Sequence, residues 1–250
     1  MLKSTFVHIP RVSRDFEKRL WTSNILDWDG FLNSSNTELN NSKRQIITEH
    51  VLKSMQALEN QDFDFFLENI PSNQHWRLYP ELKDNCCFLD IETTGLSKRR
   101  DDVTVIGLYN GNESKIYVKG QNLDEFQNEI KKYKMIITYN GKCFDVPFLK
   151  AKFPEVDFNK FHIDLRFVMR EIGYSGGLKY IEKAVGIKRN DELQDIDGFE
   201  AVRLWYKHLR GDEEALRLLI EYNKADIENL KFLMDFTFDK LKKKYLFNEI

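Results

Sequence analysis

The sequence predicts an α/β protein with one mixed five-stranded sheet flanked by helices, preceded by a small helical region. Three observations support this class. Short apolar runs rich in β-branched residues begin at residue 86 and give three early strands. Two further strand-like runs each follow a helical segment, and beyond residue 164 the apolar residues recur with helical periodicity. Strands and helices in this order are typical of helices layered around one sheet.

Residues 1–80 are predicted to be helical with short loops. Ser13 is placed to cap a helix on which Phe16 and Leu20 are four residues apart. We therefore predict a small helical domain over 1–80 and a second domain over 81–250, divided near "HWRLYPELKDN". A second helix of the first domain carries an apolar stripe made of Ile47, Val51, Met55 and Leu58.

The predicted strands are "CCFLDI", "DVTVIGLY", "SKIYVKG", "KMIITYN" and "KFHIDL", with a hairpin through "NGNES" between the second and third. An amphipathic helix is predicted over "LDEFQNEIKKY". Another begins in "CFDVPFLKAKF", where Pro147 is tolerable only in the first turn. From residue 164 the chain is predicted to be helical to its end, with breaks at "GYSGG" and "GIKRNDELQDIDG".

The composition argues against a protein that is basic overall, a disulfide-rich protein and a membrane protein. The 250 residues carry 38 Lys and Arg against 40 Asp and Glu, a net charge of −2, so any site for a polyanion must be a local patch. Three cysteines form neither a disulfide framework nor a zinc knuckle. No apolar stretch is long enough for a signal peptide or a membrane span, so we expect a cytoplasmic protein without a membrane partner.

Two carboxylates at the end of the first predicted strand draw attention. Asp90 and Glu92 are two residues apart, so their side chains leave the same face of the strand. Gly95 follows closely, so the strand ends there and opens into a loop. Two neighbouring carboxylates repel one another unless a cation lies between them, and oxygen ligands suit Mg²⁺ or Mn²⁺ rather than zinc. The alternative is a strand end with two solvated acids.

Further acids occur where a strand leads into a helix and within the last helix. Asp145 follows an apolar strand at the start of a helix, where it could also be a simple helix cap. Tyr222 and Asp226 are four residues apart on one helix face, which also fits a surface Asp beside a half-buried Tyr. Each feature alone leaves both interpretations open.

Taken together, the three features resemble the exonuclease motifs of the DEDD superfamily. The motifs are D-x-E (Asp90 and Glu92), N-x-x-x-F-D (Asn140, Phe144 and Asp145) and Y-x-x-x-D (Tyr222 and Asp226). The last motif matches the DEDDy branch, since a DEDDh enzyme would carry His at the position of Glu221. The phrases "FLDIETTGL", "YNGKCFDVPFL", "HIDLRFVMR" and "YNKADIENL" resemble the YprB-like group of RNase-H-like exonucleases, over about residues 76 to 235.

The resemblance implies a ribonuclease-H-like fold and 3′→5′ phosphodiester hydrolysis with two divalent cations, Mg²⁺ or Mn²⁺. The implied metal ligands are Asp90, Glu92, Asp145 and Asp226. Tyr222 is expected to orient the attacking water as a neutral phenol. The expected substrate contacts are Thr93, Gly95, Leu96, Asn140 and Phe144, although Phe144 also fits a core position.

The implied substrate is a single-stranded 3′ end of DNA, favoured over RNA, and the implied setting is DNA repair beside a helicase. Two other functions stay open. One is an RNase-H-like endonuclease, which uses the same fold and metal chemistry. The other is a catalytically silent module that binds nucleic acid or a helicase; the presence of all four carboxylates argues against it.

Several neighbouring features carry weaker signals. His162 and Asp164 are interpreted as a strand-end pair, and Arg166 fits either a phosphate contact or a local ion pair. Near the N-terminus, "IPRVS" resembles the turn of a helix-hairpin-helix but lacks both of its glycines, which puts phosphate binding there in doubt. The aromatic residues of this region, Trp21, Trp28 and Phe31, are predicted to form its core.

Overall fold

The computed structural model describes residues 1–34 and 39–246. The chain forms two compact units, one over Leu82–Thr237 and the other over residues 1–81 together with the segment that begins at Phe238. Their first boundary falls within the predicted linker. One long helix, Glu213–Leu246, contributes residues to both units, so the division into domains 1–80 and 81–250 stays a prediction.

The first unit is helical. Ser13 caps the first helix as predicted, because its hydroxyl accepts a hydrogen bond of 3.2 Å from the backbone N–H of Phe16. Ile47 and Val51 of the predicted stripe are buried. The described helices here are α1 (Arg14–Thr22), α2 (Trp28–Asn33), α3 (Asn41–Glu59) and α4 (Phe63–Asn69), with 3₁₀ segments at Leu2–Ser4 and Ser72–Leu78.

Aromatic residues and one ion pair fill the core of the first unit. Trp21, Trp28 and Phe31 are buried, as predicted. Arg77 is fully buried and donates two hydrogen bonds of 2.8 Å to the carboxylate of Glu17. A buried charge needs such a partner, since an uncompensated one is very costly.

The second unit contains the predicted mixed sheet. Among the described residues five strands pair in the order β3-β2-β1-β4-β5. The strand β1 pairs antiparallel with β2 and parallel with β4; β3 is antiparallel to β2, and β5 is parallel to β4. The strands are β1 (Cys86–Thr93), β2 (Val103–Tyr109), β3 (Ser114–Val118), β4 (Met135–Thr138) and β5 (Phe161–Asp164).

The helix predicted over "LDEFQNEIKKY" is largely 3₁₀. Only α5 (Phe126–Glu129) is α-helical, and 3₁₀ turns flank it at Leu123–Glu125 and Ile130–Lys132. Residues three apart eclipse one another in a 3₁₀ turn, so this geometry directs Leu123 and Phe126 towards one apolar cluster. The next helix, α6 (Asp145–Lys152), contains Pro147 in its first turn, as required.

Helices follow β5 as predicted. A short α9 occupies part of the second predicted break, and the predicted helix over residues 247–250 lies outside the described residues. Within the described part of the chain, no helix is long and apolar enough to cross a bilayer. The helices are α7 (Leu165–Arg170), α8 (Leu178–Val185), α9 (Asp191–Gln194), α10 (Gly198–His208) and α11 (Glu213–Leu246).

Each face of the sheet is covered by its own apolar cluster. Leu89 of β1 packs on one face with residues of α5 and α6, including Phe148. Val105 of β2 packs on the other face with residues of α10 and α11, including Leu204 and Leu219. Alternation along β1 therefore directs Asp90 and Glu92 towards the α10 and α11 face.

Candidate active site

The end of β1 delivers Asp90 and Glu92 to the same place. Their side chains leave the face opposite to Leu89 and Ile91, which belong to the α5 and α6 cluster. Glu92 is buried and Asp90 is half-buried. The register with β2 shifts between Glu92 and Thr93, an irregularity of the kind that re-aims side chains at functional sites.

Asp145 lies beside these acids and is not a helix cap. The N-cap position of α6 is Phe144, and Asp145 is the first helical residue. Its Oδ1 atom accepts a hydrogen bond of 3.1 Å from the backbone N–H of Ile91. Because Ile91 lies between Asp90 and Glu92 in β1, this bond fixes the start of α6 against the acidic end of the strand.

One face of α11 supplies the predicted residues Tyr222 and Asp226, together with Asn223, which was not predicted. Tyr222, Asn223 and Asp226 are all buried there. The side-chain N–H₂ group of Asn223 contacts both strand acids, with Nδ2 3.0 Å from Oδ2 of Asp90 and 3.5 Å from Oε1 of Glu92. This amide therefore orients the two carboxylates of β1 from the helix above them.

A glycine in the adjacent strand makes room for this amide. Gly107 of β2 pairs with Asp90 in the sheet. A Cβ atom built on Gly107 would lie 2.2 Å from Oδ1 of Asn223. The absence of a side chain at this position therefore allows Asn223 to reach the strand acids.

Arg189 adds a buried positive charge to the site. Its guanidinium is bidentate on Glu182, with two bonds of 2.7 Å, and also donates to Oδ1 of Asp226. All three side chains are almost completely buried. Asn229 completes the arrangement by donating to Oε1 of Glu182 at 2.9 Å. Asp226 is thus held by a cation of the protein itself.

The geometry of the acids fits a divalent cation. One carboxylate oxygen from each of Asp90, Glu92 and Asp226 lies within 4.8 Å of the other two. Carboxylate oxygens are the ligands that Mg²⁺ and Mn²⁺ prefer. Asp145 lies close enough to these acids to contribute to the raised pKa of Asp90.

Burial and mutual repulsion shift the titration of all four acids. Burial, followed by the charge of Asp226, raises the pKa of Asp90 and of Glu92 well above the ordinary value. Burial raises the pKa of Asp145 to about 7, against two backbone N–H bonds that lower it. Burial raises the pKa of Asp226 to about 6, although the neighbouring Arg189 lowers it. A bound cation would relieve this repulsion, so the residues present fit the group.

The acids lie in a cleft of about 270 Å³. All ten predicted site residues belong to the described chain, and Gly95 is the one that does not line this cleft. Gly95 has a conformational role instead, because its carbonyl accepts a 2.6 Å bond from Thr93 and a Cβ atom there would lie 2.7 Å from the Asp101 carboxylate. The lining consists of Asp90, Ile91, Glu92, Thr93, Leu96, Tyr139, Asn140, Phe144, Asp145, Gly198, Val202, Tyr222 and Asp226.

Phe144 serves the core and the cleft together. It lines the cleft and is also partly buried against the α5 and α6 cluster, with its ring centroid 4.9 Å from that of Phe148. The two interpretations of this residue are therefore compatible. Leu96, by contrast, is 72% exposed at the cleft edge.

Asp164 organises the loop that presents Asn140. The buried carboxylate of Asp164 accepts bonds from the backbone N–H groups of Asn140 at 2.8 Å and Lys142 at 3.0 Å. Asn140 has a φ of 67°, a left-handed conformation, and its side-chain oxygen accepts a 2.6 Å bond from Arg166. His162 contacts Thr138 across the sheet at 2.8 Å. Asp164 thus holds the backbone of the loop that carries Asn140, and Arg166 contacts the Asn140 side-chain amide.

Two cationic side chains lie near the ring of Tyr222. Cζ of Arg189 and Nζ of Lys179 are each 5.3 Å from the centre of its ring. Burial, followed by the charges of the nearby carboxylates, raises the pKa of the Tyr222 phenol, so it is neutral at every physiological pH. The cations hold the ring and leave the phenol a hydrogen-bond donor.

Sequence reasoning missed three residues that organise the site. Asn223 carried a usable signal, since it precedes Asp226 by three positions on one helix face. Glu182 and Arg189 carried none, because they lie seven residues apart around the turn after α8 and only Arg189 contacts Asp226, in the folded chain.

Three known proteins are similar to parts of this chain. The chain is 28% identical to the uncharacterized protein YprB of Bacillus subtilis (strain 168) over 167 residues, which is 56% of this chain and 39% of that protein. It therefore spans about two-fifths of the relative's length. The family B DNA polymerase of Pyrobaculum calidifontis is similar with a TM-score of 0.47 and 17% identity, over 64% of this chain and 24% of that one. Brucella melitensis NrnC with bound Mg²⁺ is similar with a TM-score of 0.44 and 17% identity, over 68% of this chain and 80% of that one.

The sequence profile of the RNase_H superfamily matches residues 87–237. The match begins in β1, ends in α11 and covers more than half of the chain. It thus includes the sheet and every acid of the cleft. This chain belongs to the RNase_H superfamily.

Proposed function

We propose that this protein is a metal-dependent 3′→5′ exonuclease of the DEDDy type, similar to the YprB-like group. The observation that supports the proposal is the convergence of four carboxylates and Tyr222 on one cleft. These carboxylates come from β1, α6 and α11, which are far apart in the sequence. Fold membership alone would not carry an activity, so the proposal rests on these side chains.

The residues of the cleft then take distinct roles. Asp90, Glu92, Asp145 and Asp226 would hold two divalent cations, Mg²⁺ or Mn²⁺, which when bound stabilise charge on the phosphate and acidify a water molecule. Tyr222, as a neutral phenol, donates a hydrogen bond that orients the attacking water. Asn223 and Arg189 keep the carboxylates in place.

The remaining lining residues would position the last nucleotide of the strand. The acids share the cleft with Thr93, Leu96, Asn140 and Phe144. Gly95 shapes the segment that carries Thr93 and Leu96. The proposed substrate is a single-stranded 3′ end, with DNA favoured over RNA. Work in DNA repair beside a helicase is part of the proposal and follows from the resemblance to the YprB-like group.

The test is incubation with end-labelled single-stranded and duplex DNA and RNA in Mg²⁺, Mn²⁺ or EDTA. We expect a ladder that shortens from the 3′ end only when a cation is present, and no cleavage of a circular single strand. Cleavage of the circle would identify an endonuclease. Binding without any cleavage would identify a silent module.

The matched control is Asp226→Asn, which keeps the shape of the side chain and removes its charge. Purified Asp226→Asn protein should show no hydrolysis and an unchanged circular dichroism spectrum. Undiminished turnover would contradict the four-carboxylate assignment.

A further inference from the structure

An exposed strip on α10 begins beside the cleft. Gly198 and Val202, on the first turns of this helix, line the cleft itself. Phe199, Arg203 and Tyr206 follow at positions i, i+4 and i+7, so they lie on one adjacent helix face. We call these three residues the α10 strip.

The strip is unusually exposed for its composition. Phe199 is 68% exposed and Tyr206 is 45% exposed, while the side chain of Arg203 is 72% exposed. Large aromatic rings are normally buried, because removing them from water is favourable. Two of them flanking an arginine on the solvent side of a helix therefore mark a surface that contacts something.

The strip carries one positive charge, that of Arg203. Arg203 contacts Glu200 at 3.0 Å, but exposed ion pairs of this kind are weak, so the guanidinium can exchange to a phosphate. Arg210, also exposed, follows directly after the helix and adds a second positive charge. Aromatic rings that accept stacked bases beside cations that accept phosphates are the combination that binds single strands without sequence preference.

We propose that the α10 strip binds the single-stranded nucleic acid that leads into the cleft, with bases stacked on Phe199 and Tyr206 and a phosphate on Arg203. The inference rests on the proposed nuclease function and adds the path of the strand outside the cleft. From Phe199 to Tyr206 the helix rises about 10 Å, at ~1.5 Å per residue, so the strip engages nucleotides beyond the reacting one.

Binding is measured by fluorescence anisotropy with a 5′-labelled 12-nucleotide single strand of DNA, and of RNA, in EDTA so that no divalent cation is present. Phe199→Ala and Tyr206→Ala should each raise Kd about tenfold, the loss typical of one stacked base. The slope of log K against log salt is negative. Arg203→Gln should make it less steep by about 0.7, the value for one phosphate contact on a single strand. The effects should be smaller on a dinucleotide, which is too short to follow the strip.

Two variants serve as controls, because they change exposed residues of the same types on α11. Phe232→Ala and Arg217→Gln should leave Kd and the salt slope unchanged. Wild-type affinity in the strip variants, or no binding by the wild type, would overturn the inference. Failure of the proposed function is separate: it would appear as absent metal-dependent hydrolysis by a protein that still binds the strand through the strip.

Discussion

Arg189 and Asp226 form a buried ion pair across thirty-seven residues of sequence. The same guanidinium is bidentate on Glu182, so one cation holds two buried carboxylates. Asp226 is also one of the acids whose oxygens cluster with those of Asp90 and Glu92. The cluster therefore contains a fixed positive charge before any divalent cation binds.

Replacing Arg189 should destabilise the fold. Arg189→Met keeps much of the volume and leaves two buried carboxylates without their cation, so we expect a loss of about 3 kcal/mol in the free energy of unfolding, measured by urea denaturation in EDTA. Arg217→Met is the matched control, since its pairs with Glu192 and Glu214 are exposed and should contribute little. Equal, small losses in both variants would show that the buried pair is not stabilising Asp226.

Removing the phenol oxygen of Tyr222 should lower kcat without changing the free energy of unfolding. Tyr222→Phe keeps the ring beside Arg189 and Lys179, so the free energy of unfolding should stay the same. Loss of the hydrogen bond that orients the water should lower kcat on single-stranded DNA by about 100-fold, with little change in KM. An unchanged kcat would remove Tyr222 from the mechanism.

The metal-free protein should lose stability as pH rises. The pKa of Asp145 is raised to about 7 and that of Asp226 to about 6, so the folded chain holds these protons more tightly than the unfolded chain. Their contribution is full below the unfolded pKa of 3.8 and is lost as pH rises through 6 to 7. Melting temperatures in EDTA should therefore fall across this window.

Divalent cations should reverse this loss, because they bind the charged folded form. We expect Mg²⁺ or Mn²⁺ to raise the melting temperature more at pH 8 than at pH 5. Asp145→Asn lacks one of the titrating groups, so its metal-free stability should depend less on pH. A cation effect that is equal at both pH values would argue against binding at these carboxylates.

Gly107 should not tolerate even a methyl group. Gly107→Ala places a Cβ atom 2.2 Å from Oδ1 of Asn223, so we expect a loss of about 2 kcal/mol, typical of overpacking. If the clash with Asn223 is the cause, combining Gly107→Ala with Asn223→Ala should cost less than the sum of the two single changes. The coupling should be about 1 kcal/mol in a double-mutant cycle. Strict additivity would place the cause elsewhere.

The parts of the site that could be predicted are those fixed by local periodicity. Asp90 and Glu92 share a face because side chains alternate along a strand, and Tyr222 and Asp226 share one because they are one helical turn apart. Asp145 could be placed at a helix start, but its bond to Ile91 could not be, because the hydrogen bond joins residues fifty-four positions apart.

The parts that could not be predicted depend on tertiary contacts or on the choice between similar helices. Arg189 reaches Asp226 only because α8 and its following turn fold back towards α11. The segment around Phe126 has a helical pattern, yet the spacing of three at its ends is also the period of a 3₁₀ turn, and packing selected that geometry.

The bonds that Asp164 makes to the Asn140 loop have an entropic consequence. They hold Asn140 in a left-handed conformation by contacts that are all internal to the protein. A loop already fixed in this way loses little conformational freedom when a strand end arrives, so more of the contact energy is left for affinity. The Asn140 part of the cleft lining is in this sense ordered before a substrate binds.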